Sequence, residues 1–128
     1  MKKNIPLSIY IRTHNEEKRI GPVVKRAIQT GAEVIVIDDG SDDKTQEIAE
    51  NNGAIVVQHK WAGRGKQKRF AEDIATHKWL LDIDADELLS EDLILEIINL
   101  FNNGSPDPGI YKIKYIIIEL INFISGFI

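Results

Sequence analysis

The sequence predicts an α/β fold built on a parallel sheet, in a Rossmann-like arrangement. Short apolar runs alternate along the chain with segments whose apolar residues recur at helical spacing. The run "EVIVI" at 33–37 is continuously apolar and rich in β-branched residues, which is typical of a strand covered on both faces. Polar stretches follow three of the apolar runs, namely "RTHNEE", "DDGSDD" and "DADE". Because ligands bind beyond the carboxyl ends of such strands, we expect a site where these stretches meet.

The first strand and helix are indicated by a change in the spacing of apolar residues along the chain. "LSIYI" at 7–11 reads as a strand, and from Ile20 onward the apolar residues fall on one helical face. Pro22 suits the first turn of this helix, and Gly31 suits its end. These signals predict a strand, a loop carrying "RTHNEE" and a helix.

The second helix is expected after "DDGSDD". Asp43 and Gln46 have the spacing of a capping box, in which two side chains bond the free N–H groups at a helix start. Gly53 is expected to end this helix, and "AIVVQ" at 54–58 to form the third strand.

The second half of the predicted sheet follows the same alternation. Helical spacing returns around Phe70, and "KWLLDI" at 78–83 reads as the fourth strand. Ser90 is expected to cap a last helix, which should stop near Gly104.

Composition limits the functions that the chain can have. The chain has 128 residues and no cysteine, which fits one domain without a disulfide framework and favours a reducing compartment. A net charge of −4 disfavours general nucleic-acid binding. The opening "MKKNIPLSIY" does not resemble a secretory signal, so a cytoplasmic location is predicted.

An acidic stretch follows the fourth strand. Asp82, Asp84 and Asp86 are spaced to share one face of an extended strand, where like charges repel unless a cation or hydrogen bonds neutralise them. Asp84 and Asp86 could supply hard oxygen ligands to Mg²⁺ or Mn²⁺, with phosphates and water completing the shell. The alternative is an ordinary acidic loop before a helix.

Two further stretches are candidates for ligand contacts. Asp38 and Asp39 end a buried strand and could accept hydrogen bonds from a ribose hydroxyl or a base N–H, or could simply cap the next helix. In "HKWAGRGKQKRF", Lys66 or Arg64 could hold a phosphate at a helix start, although solvated cations are the alternative. The histidines show no metal-ligand spacing and are interpreted as structural or exposed.

Taken together, "SIYIRTHNEE", "VIVIDDGSDDKTQEIAENNGA", "GRGKQKRFA" and "KWLLDIDADELLSEDL" resemble the nucleotide-sugar-binding half of family 2 glycosyltransferases. The resemblance is strongest to the bacterial branch that includes lipopolysaccharide-core glucosyltransferases. It covers residues 5 to about 111. It implies the N-terminal half of an A-type glycosyltransferase fold that binds a nucleoside diphosphate sugar, with a UDP-sugar favoured, together with Mg²⁺ or Mn²⁺.

The resemblance also implies roles for individual residues. By this likeness Thr13, Asn15 and Glu16 line the nucleotide cleft, and Asp38 and Asp39 belong to the nucleotide site, with Asp39 meeting the base. Asp84 is implied to lie near the ribose and sugar, Asp86 to be the metal ligand, and Lys66 to approach the donor.

The C-terminal stretch departs from that family pattern. Residues 1–111 are predicted to form the nucleotide-sugar-binding domain, and 112–128 an apolar tail in place of the acceptor-binding half. Since a membrane-spanning helix needs about 20 apolar residues, the tail is expected to be a strand or a segment buried in a partner or second copy. A peripheral contact with the inner face of the membrane is the alternative. The tail offers no persuasive base, so the catalytic position stays unassigned.

Three functions are compatible with these features. The first is transfer of a sugar to a glycan or lipid-linked acceptor in cell-envelope polysaccharide synthesis. The second is a truncated domain that binds the donor without turnover. The third is a phosphohydrolase of the haloacid-dehalogenase type, which also carries D-x-D after a strand but needs a later lysine and a second acidic pair that is not evident here.

Overall fold

The structure is a computed structural model that describes residues 4–77 and 79–102. Strands and helices alternate along this part of the chain, which confirms the predicted α/β class. The elements in chain order are β1 (Leu7–Thr13), α1 (Ile20–Ile28), β2 (Glu33–Asp38), α2 (Thr45–Asn51), β3 (Ile55–Gln58), α3 (Arg64–Ile74), β4 (Trp79–Asp84) and α4 (Glu91–Leu100).

The four strands form one parallel sheet in the order β3-β2-β1-β4. The register places Thr13 of β1 beside Asp38 of β2, and Arg12 of β1 beside Asp84 of β4. The direction of strand addition reverses between β1 and β4, which is the kind of point where open α/β sheets bind ligands. The polar stretches that follow β1, β2 and β4 therefore meet at one edge.

Apolar side chains cover both faces of the sheet. Val34 and Val36 of β2 pack into the larger cluster with α1 and α4, whereas Ile35 and Ile37 face the smaller cluster beside α3. The continuous apolar run thus forms a strand covered on both faces, as predicted. Full burial of each such side chain contributes about 1.5–3 kcal/mol to folding.

The start of α2 differs from the predicted capping box. The carboxylate of Asp43 accepts a hydrogen bond from the backbone N–H of Thr45 (2.9 Å), but the Gln46 amide donates to Asp38 Oδ2 (2.7 Å). Asp38 is fully buried, so its carboxylate must be hydrogen-bonded by donors from the protein. The predicted pairing of Asp43 with Gln46 is therefore wrong.

The last helix begins as predicted. The Ser90 hydroxyl accepts a hydrogen bond from the Leu93 N–H at 3.1 Å, and Glu91 and Asp92 in the first turn favour the helix dipole. The predicted stop at Gly104 and the predicted tail at 112–128 lie outside the described residues. Within 4–77 and 79–102, no helix combines the length and apolar character needed to cross a membrane.

Candidate functional site

A cleft of about 500 Å³ opens at the carboxyl edge of the sheet. This volume lies in the range of small-molecule binding sites. Predicted site residues at the ends of β1 and β4 and in the loops after β1, β2 and β4 line it together, namely Thr13, Glu16, Asp39, Asp84 and Asp86. The strand order explains this convergence, because β1 lies between β2 and β4.

Thr13 ends β1 at the floor of the cleft. Its side chain is buried, and its hydroxyl Oγ1 has no hydrogen-bond partner among the described residues. The backbone carbonyl of Thr13 accepts a bond from the Asp39 N–H at 3.0 Å, which fixes the first residue after β2 against β1. Because buried polar groups are normally paired, this unpaired hydroxyl is an exception at the end of β1.

Asp38 lies beneath the cleft and does not line it. Its carboxylate accepts bonds from the Ser41 N–H (2.8 Å), the Ser41 hydroxyl (2.5 Å) and the Gln46 amide (2.7 Å). Asp38 is the buried last residue of β2, whereas Asp39 follows the strand and lines the cleft. Asp38 thereby holds the loop that presents Asp39.

Asn15 also joins loops and does not line the cleft. Its φ of 49° is in the left-handed region, which asparagine tolerates better than most residues. Its N–H donates to the Ser41 hydroxyl at 2.8 Å, and its Oδ1 accepts from the Asp42 N–H at 3.0 Å. The loop after β1 is therefore tied to the loop after β2.

His14 lines the cleft, although we interpreted the histidines as structural or exposed from their spacing. Its Nδ1 lies 2.6 Å from the carbonyl oxygen of Asp39. Since a carbonyl can only accept, Nδ1 carries the proton in this contact. The position directly after the end of β1 was the one available sequence signal.

Asp84 and Asp86 occupy different settings. Asp84 is the last residue of β4, whereas Asp86 lies in the turn beyond it. The expectation that Asp82, Asp84 and Asp86 share one strand face is therefore wrong for Asp86, because the strand ends first. The Asp84 N–H donates to Glu87 Oε1 at 2.7 Å, which closes the turn.

Asp82 lies deeper, with Tyr10 and Arg64 around a small cavity that adjoins Arg12. Burial raises the pKa of Asp82 to about 7, with the charge of Asp84 adding and that of Arg12 opposing. Burial also raises the pKa of Tyr10, as do the charge of Asp82 and a hydrogen bond to it. Asp82 thus lines the small cavity and does not line the cleft.

Two arginines face the carboxylates that were predicted to bind metal. Arg12 Nη2 lies 3.4 Å from Asp84 Oδ1, and Arg19 Nη1 lies 3.9 Å from Asp86 Oδ2. Arg19 Nε is also 3.3 Å from Glu16 Oε1. Neither arginine was predicted, because both contacts depend on which strands are neighbours.

Trp61 completes the wall of the cleft. Its ring lies under the guanidinium of Arg12, with Cζ 4.4 Å from the ring centroid. The loop that carries Trp61 leads to α3, where Lys66 is exposed on the first turn and does not line the cleft. Arg64 instead borders the small cavity beside Asp82.

The chemistry of the cleft limits which metal it can hold. In the described part of the chain no group of three or more His, Cys, Asp or Glu side chains could hold an ion by itself. Asp84 and Asp86 provide hard carboxylate oxygens at one end of the cleft. They fit Mg²⁺ or Mn²⁺ when a ligand and water supply the remaining oxygens, which is how Mg²⁺ is commonly held.

Comparison with known sequences identifies one matching family. The model of glycosyl transferase family 2 matches residues 8–120. An uncharacterized glycosyltransferase of Rickettsia bellii is 43% identical over 114 residues, covering 88% of this chain and 39% of the relative. The lipopolysaccharide core biosynthesis glycosyltransferase LpsC of Rhizobium meliloti is 31% identical over 98 residues, covering 73% of this chain and 36% of LpsC. The chain thus spans well under half the length of these relatives.

Solved structures share the fold. S. aureus TarS 1-349 in complex with UDP-GlcNAc matches with a TM-score of 0.61 and 25% identity, covering 77% of this chain and 32% of TarS. Glucosyl-3-phosphoglycerate synthase from Mycobacterium tuberculosis, in complex with Mg²⁺ and UDP, matches with a TM-score of 0.57 and 26% identity, over 64% of this chain and 34% of the synthase.

Proposed function

Because the chain belongs to glycosyl transferase family 2, we propose that its cleft binds a nucleoside diphosphate sugar with Mg²⁺ or Mn²⁺, as the donor-binding part of a sugar transferase. The observation that carries the proposal is the convergence of Thr13, Glu16, Asp39, Asp84 and Asp86 on one cleft. The complexes of similar structures with UDP-GlcNAc and with UDP support a UDP-sugar as the first donor to test.

The nucleoside is proposed to lie over the ends of β1 and β2. Asp39 can accept a hydrogen bond from a base N–H or a ribose hydroxyl, and Thr13 lies beside it at the floor of the cleft. His14 and Glu16, which belong to the loop after β1, line the cleft as well. Asn15 and Asp38 would act by fixing these loops, whereas Lys66 would reach the donor only from the rim.

The diphosphate is proposed to lie toward β4. Asp84 and Asp86 would hold the divalent cation, which when bound offsets the charge of the diphosphate as it leaves. The Mg²⁺ and UDP in the similar mycobacterial structure support this choice of cofactor. Arg12 and Arg19 already supply positive charge at these carboxylates.

The acceptor is proposed to be a glycan or a lipid-linked sugar used in cell-envelope polysaccharide synthesis. The similarity to LpsC at 31% identity supports this class of acceptor. A cytoplasmic location at the inner face of the membrane follows from the proposed donor and acceptor. The haloacid-dehalogenase alternative gains no support, because the matched family is one of transferases.

Binding without turnover is the second candidate. It is favoured because Glu16 pairs with Arg19, while Asp39, Asp84 and Asp86 are assigned to the donor and the metal in this proposal. A general base must lie within hydrogen-bond reach of the acceptor hydroxyl. A binding titration run beside a product assay separates the two candidates, because only the first predicts labelled product.

Thermal unfolding with nucleotides tests donor binding directly. A ligand selective for the native state stabilises it by about 2.7 kcal/mol at 100 times Kd, so UDP with Mn²⁺ or Mg²⁺ should raise Tm. UMP serves as the control that lacks the second phosphate. The proposal fails if no nucleoside diphosphate at millimolar concentration shifts Tm with either metal.

A further inference from the structure

Arg12 occupies a junction between the cleft and the small cavity beside Asp82. It lines both spaces, lies over the ring of Trp61, and reaches Asp84 at 3.4 Å. The side chains of Arg12 and Asp84 are 39% and 54% exposed, so this ion pair lies at the surface of the cleft and is open to exchange.

The fold holds Arg12 in this place from two sides. Arg12 and Asp84 are register partners on adjacent strands, which fixes where both side chains begin. Trp61 supports the flat face of the guanidinium, and an arginine fork over an aromatic ring keeps its N–H edge available for other partners. The edge can therefore turn between Asp84 and a ligand in the cleft without leaving the ring.

The negative charge of the carboxylates at the end of β4 explains why Asp84 needs a counter-ion when no metal is bound. Asp84 and Asp86 lie two residues apart at and just beyond the end of β4, where like negative charges destabilise each other. Arg12 is the cation paired with Asp84, the candidate metal ligand at the strand end. A divalent ion that binds Asp84 must displace the guanidinium or share the carboxylate with it.

We propose that Arg12 is the resting counter-ion of Asp84 and that it transfers to the donor's diphosphate when a divalent cation takes over Asp84. This inference rests on the proposed function for its second half only. Before donor arrives, Arg12 keeps the metal weakly bound. With donor present, the diphosphate attracts Arg12 and leaves Asp84 to the metal, so each ligand strengthens the other through one side chain.

Titrations of Mn²⁺ with and without UDP test the exchange in the whole chain. Free Mn²⁺ is measured by electron paramagnetic resonance, and UDP binding by calorimetry. Arg12→Met should tighten binding of Mn²⁺ alone by about fivefold. The metal then no longer has to break an exposed ion pair, whose strength corresponds to about that factor. The same change should weaken UDP binding in the presence of Mn²⁺ by about tenfold, since a charge-assisted bond to phosphate is lost.

Two further variants separate charge from packing. Arg12→Lys keeps the charge, so its affinity for Mn²⁺ alone should stay near that of the parent. Lys25→Met removes a cation from the last turn of α1, away from the cleft, and should leave both titrations unchanged. Circular dichroism of each variant confirms that it is folded.

The outcomes distinguish this inference from the proposed function. If Arg12→Met leaves the affinity for Mn²⁺ alone unchanged or weaker, Arg12 is not a competing counter-ion and the inference is wrong. If Arg12→Lys matches Arg12→Met, the effect comes from packing and the inference is also wrong. The metal-alone titration needs no nucleotide, so it decides the counter-ion role even if UDP does not bind.

Discussion

Asp38 carries its carboxylate at a fully buried position, which is tolerable only because donors surround it. Ser41 and Gln46 supply three hydrogen bonds to its two oxygens. A buried carboxylate without such partners would cost several kcal/mol. Asp38 therefore connects the end of β2 to the start of α2, and its role is to position the loop that holds Asp39.

Replacing Asp38 should destabilise the protein. Asp38→Ala removes the shared acceptor of the Ser41 and Gln46 donors, so we expect a loss of about 1–3 kcal/mol in the free energy of unfolding. Urea denaturation followed by circular dichroism measures the loss. Asp42→Ala, an exposed change in the same loop, is the matched control and should cost less than about 0.5 kcal/mol.

Asp86 and Asp39 should differ in how they affect donor binding. Asp86→Ala is expected to abolish the metal-dependent part of UDP binding while leaving the fold intact, because the side chain is exposed in a turn. Asp39→Ala should weaken UDP binding by about tenfold with or without metal, since a hydrogen bond to the nucleoside is lost. Calorimetry with and without Mn²⁺ measures both, and equal metal dependence in parent and Asp86→Ala would remove Asp86 from the ligands.

Residues of the cleft could be predicted from the sequence only where their position at or just after the end of a strand is enough to place them there. Thr13, Asp39 and Asp84 follow or end strands, so the general rule for parallel sheets brings them to one edge. The contact of Arg12 with Asp84 instead requires β1 and β4 to be neighbours, and the alternation of strands and helices does not specify strand order. Lys66 is exposed and does not line the cleft, so its predicted approach to the donor stays a prediction.

At the scale of elements, the network around Glu33 joins the amino ends of the strands to the turn before β4. Glu33 begins β2, and its carboxylate accepts bonds from the Ser8 hydroxyl (2.7 Å), the Thr76 N–H (3.0 Å) and the Thr76 hydroxyl (2.6 Å). Burial alone would raise the pKa of Glu33, but these hydrogen bonds outweigh it and lower the pKa.

The lowered pKa of Glu33 predicts a specific loss of stability in acid. Because the folded pKa lies below the unfolded value of about 4.3, the contribution is fully present above that pH and is lost as pH falls through the folded pKa. Glu33→Gln should therefore flatten the acid side of the stability curve below about pH 4. Urea midpoints measured from pH 3 to 7 test this. An unchanged acid slope in the variant would show that Glu33 is not responsible.

The start of α4 is fixed by the residue that caps it, Ser90. Ser90→Ala should cost about 1 kcal/mol, because the Leu93 N–H loses its cap. Thermal or urea unfolding measures this, and Ser90→Asp, which can also cap, should retain most of the stability. A loss equal to that of Ser90→Ala in the Asp variant would show that the hydroxyl acts other than as a cap.

The order of the strands and helices could be predicted from the sequence, whereas the residues at which they end could be predicted less well. Apolar runs, helical spacing and capping residues together predicted every strand and helix of the described chain, yet β1 and β2 continue to Thr13 and Asp38, which are polar. Ladder pairing of these two residues with each other extends both strands. Asp43 and Gln46 have the sequence spacing of a capping box, but the Gln46 side chain donates its hydrogen bond to the buried carboxylate of Asp38 instead.

At the scale of the whole molecule, donor binding and sugar transfer make different demands. Binding needs the cleft and a metal, whereas transfer also needs a base near the acceptor hydroxyl. Within the described residues, the cleft carboxylates are either paired with arginine or proposed to hold the donor. The isolated 128-residue chain is expected to bind UDP-sugar but to transfer little or none of it.

Labelled UDP-sugar incubated with the purified chain and candidate acceptors tests this expectation. Slow hydrolysis of the donor by water is the expected side reaction. Transfer to a glycan or lipid acceptor at a rate near the enzyme median of about 10 per second would contradict it. Asp86→Ala is the control, since any hydrolysis that persists in it does not depend on the proposed metal site.

The central position of β1 also sets an order in which the chain can fold. β1 pairs with β2, which follows it after one helix, and with β4, which follows only after two further helices and β3. Contacts between distant segments form late because closing a longer loop costs more entropy. The unit β1-α1-β2 is thus expected to form first, and β4 to dock last with Asp84. Nucleotide binding during refolding would then report the final step, since the cleft exists only after β4 has joined β1.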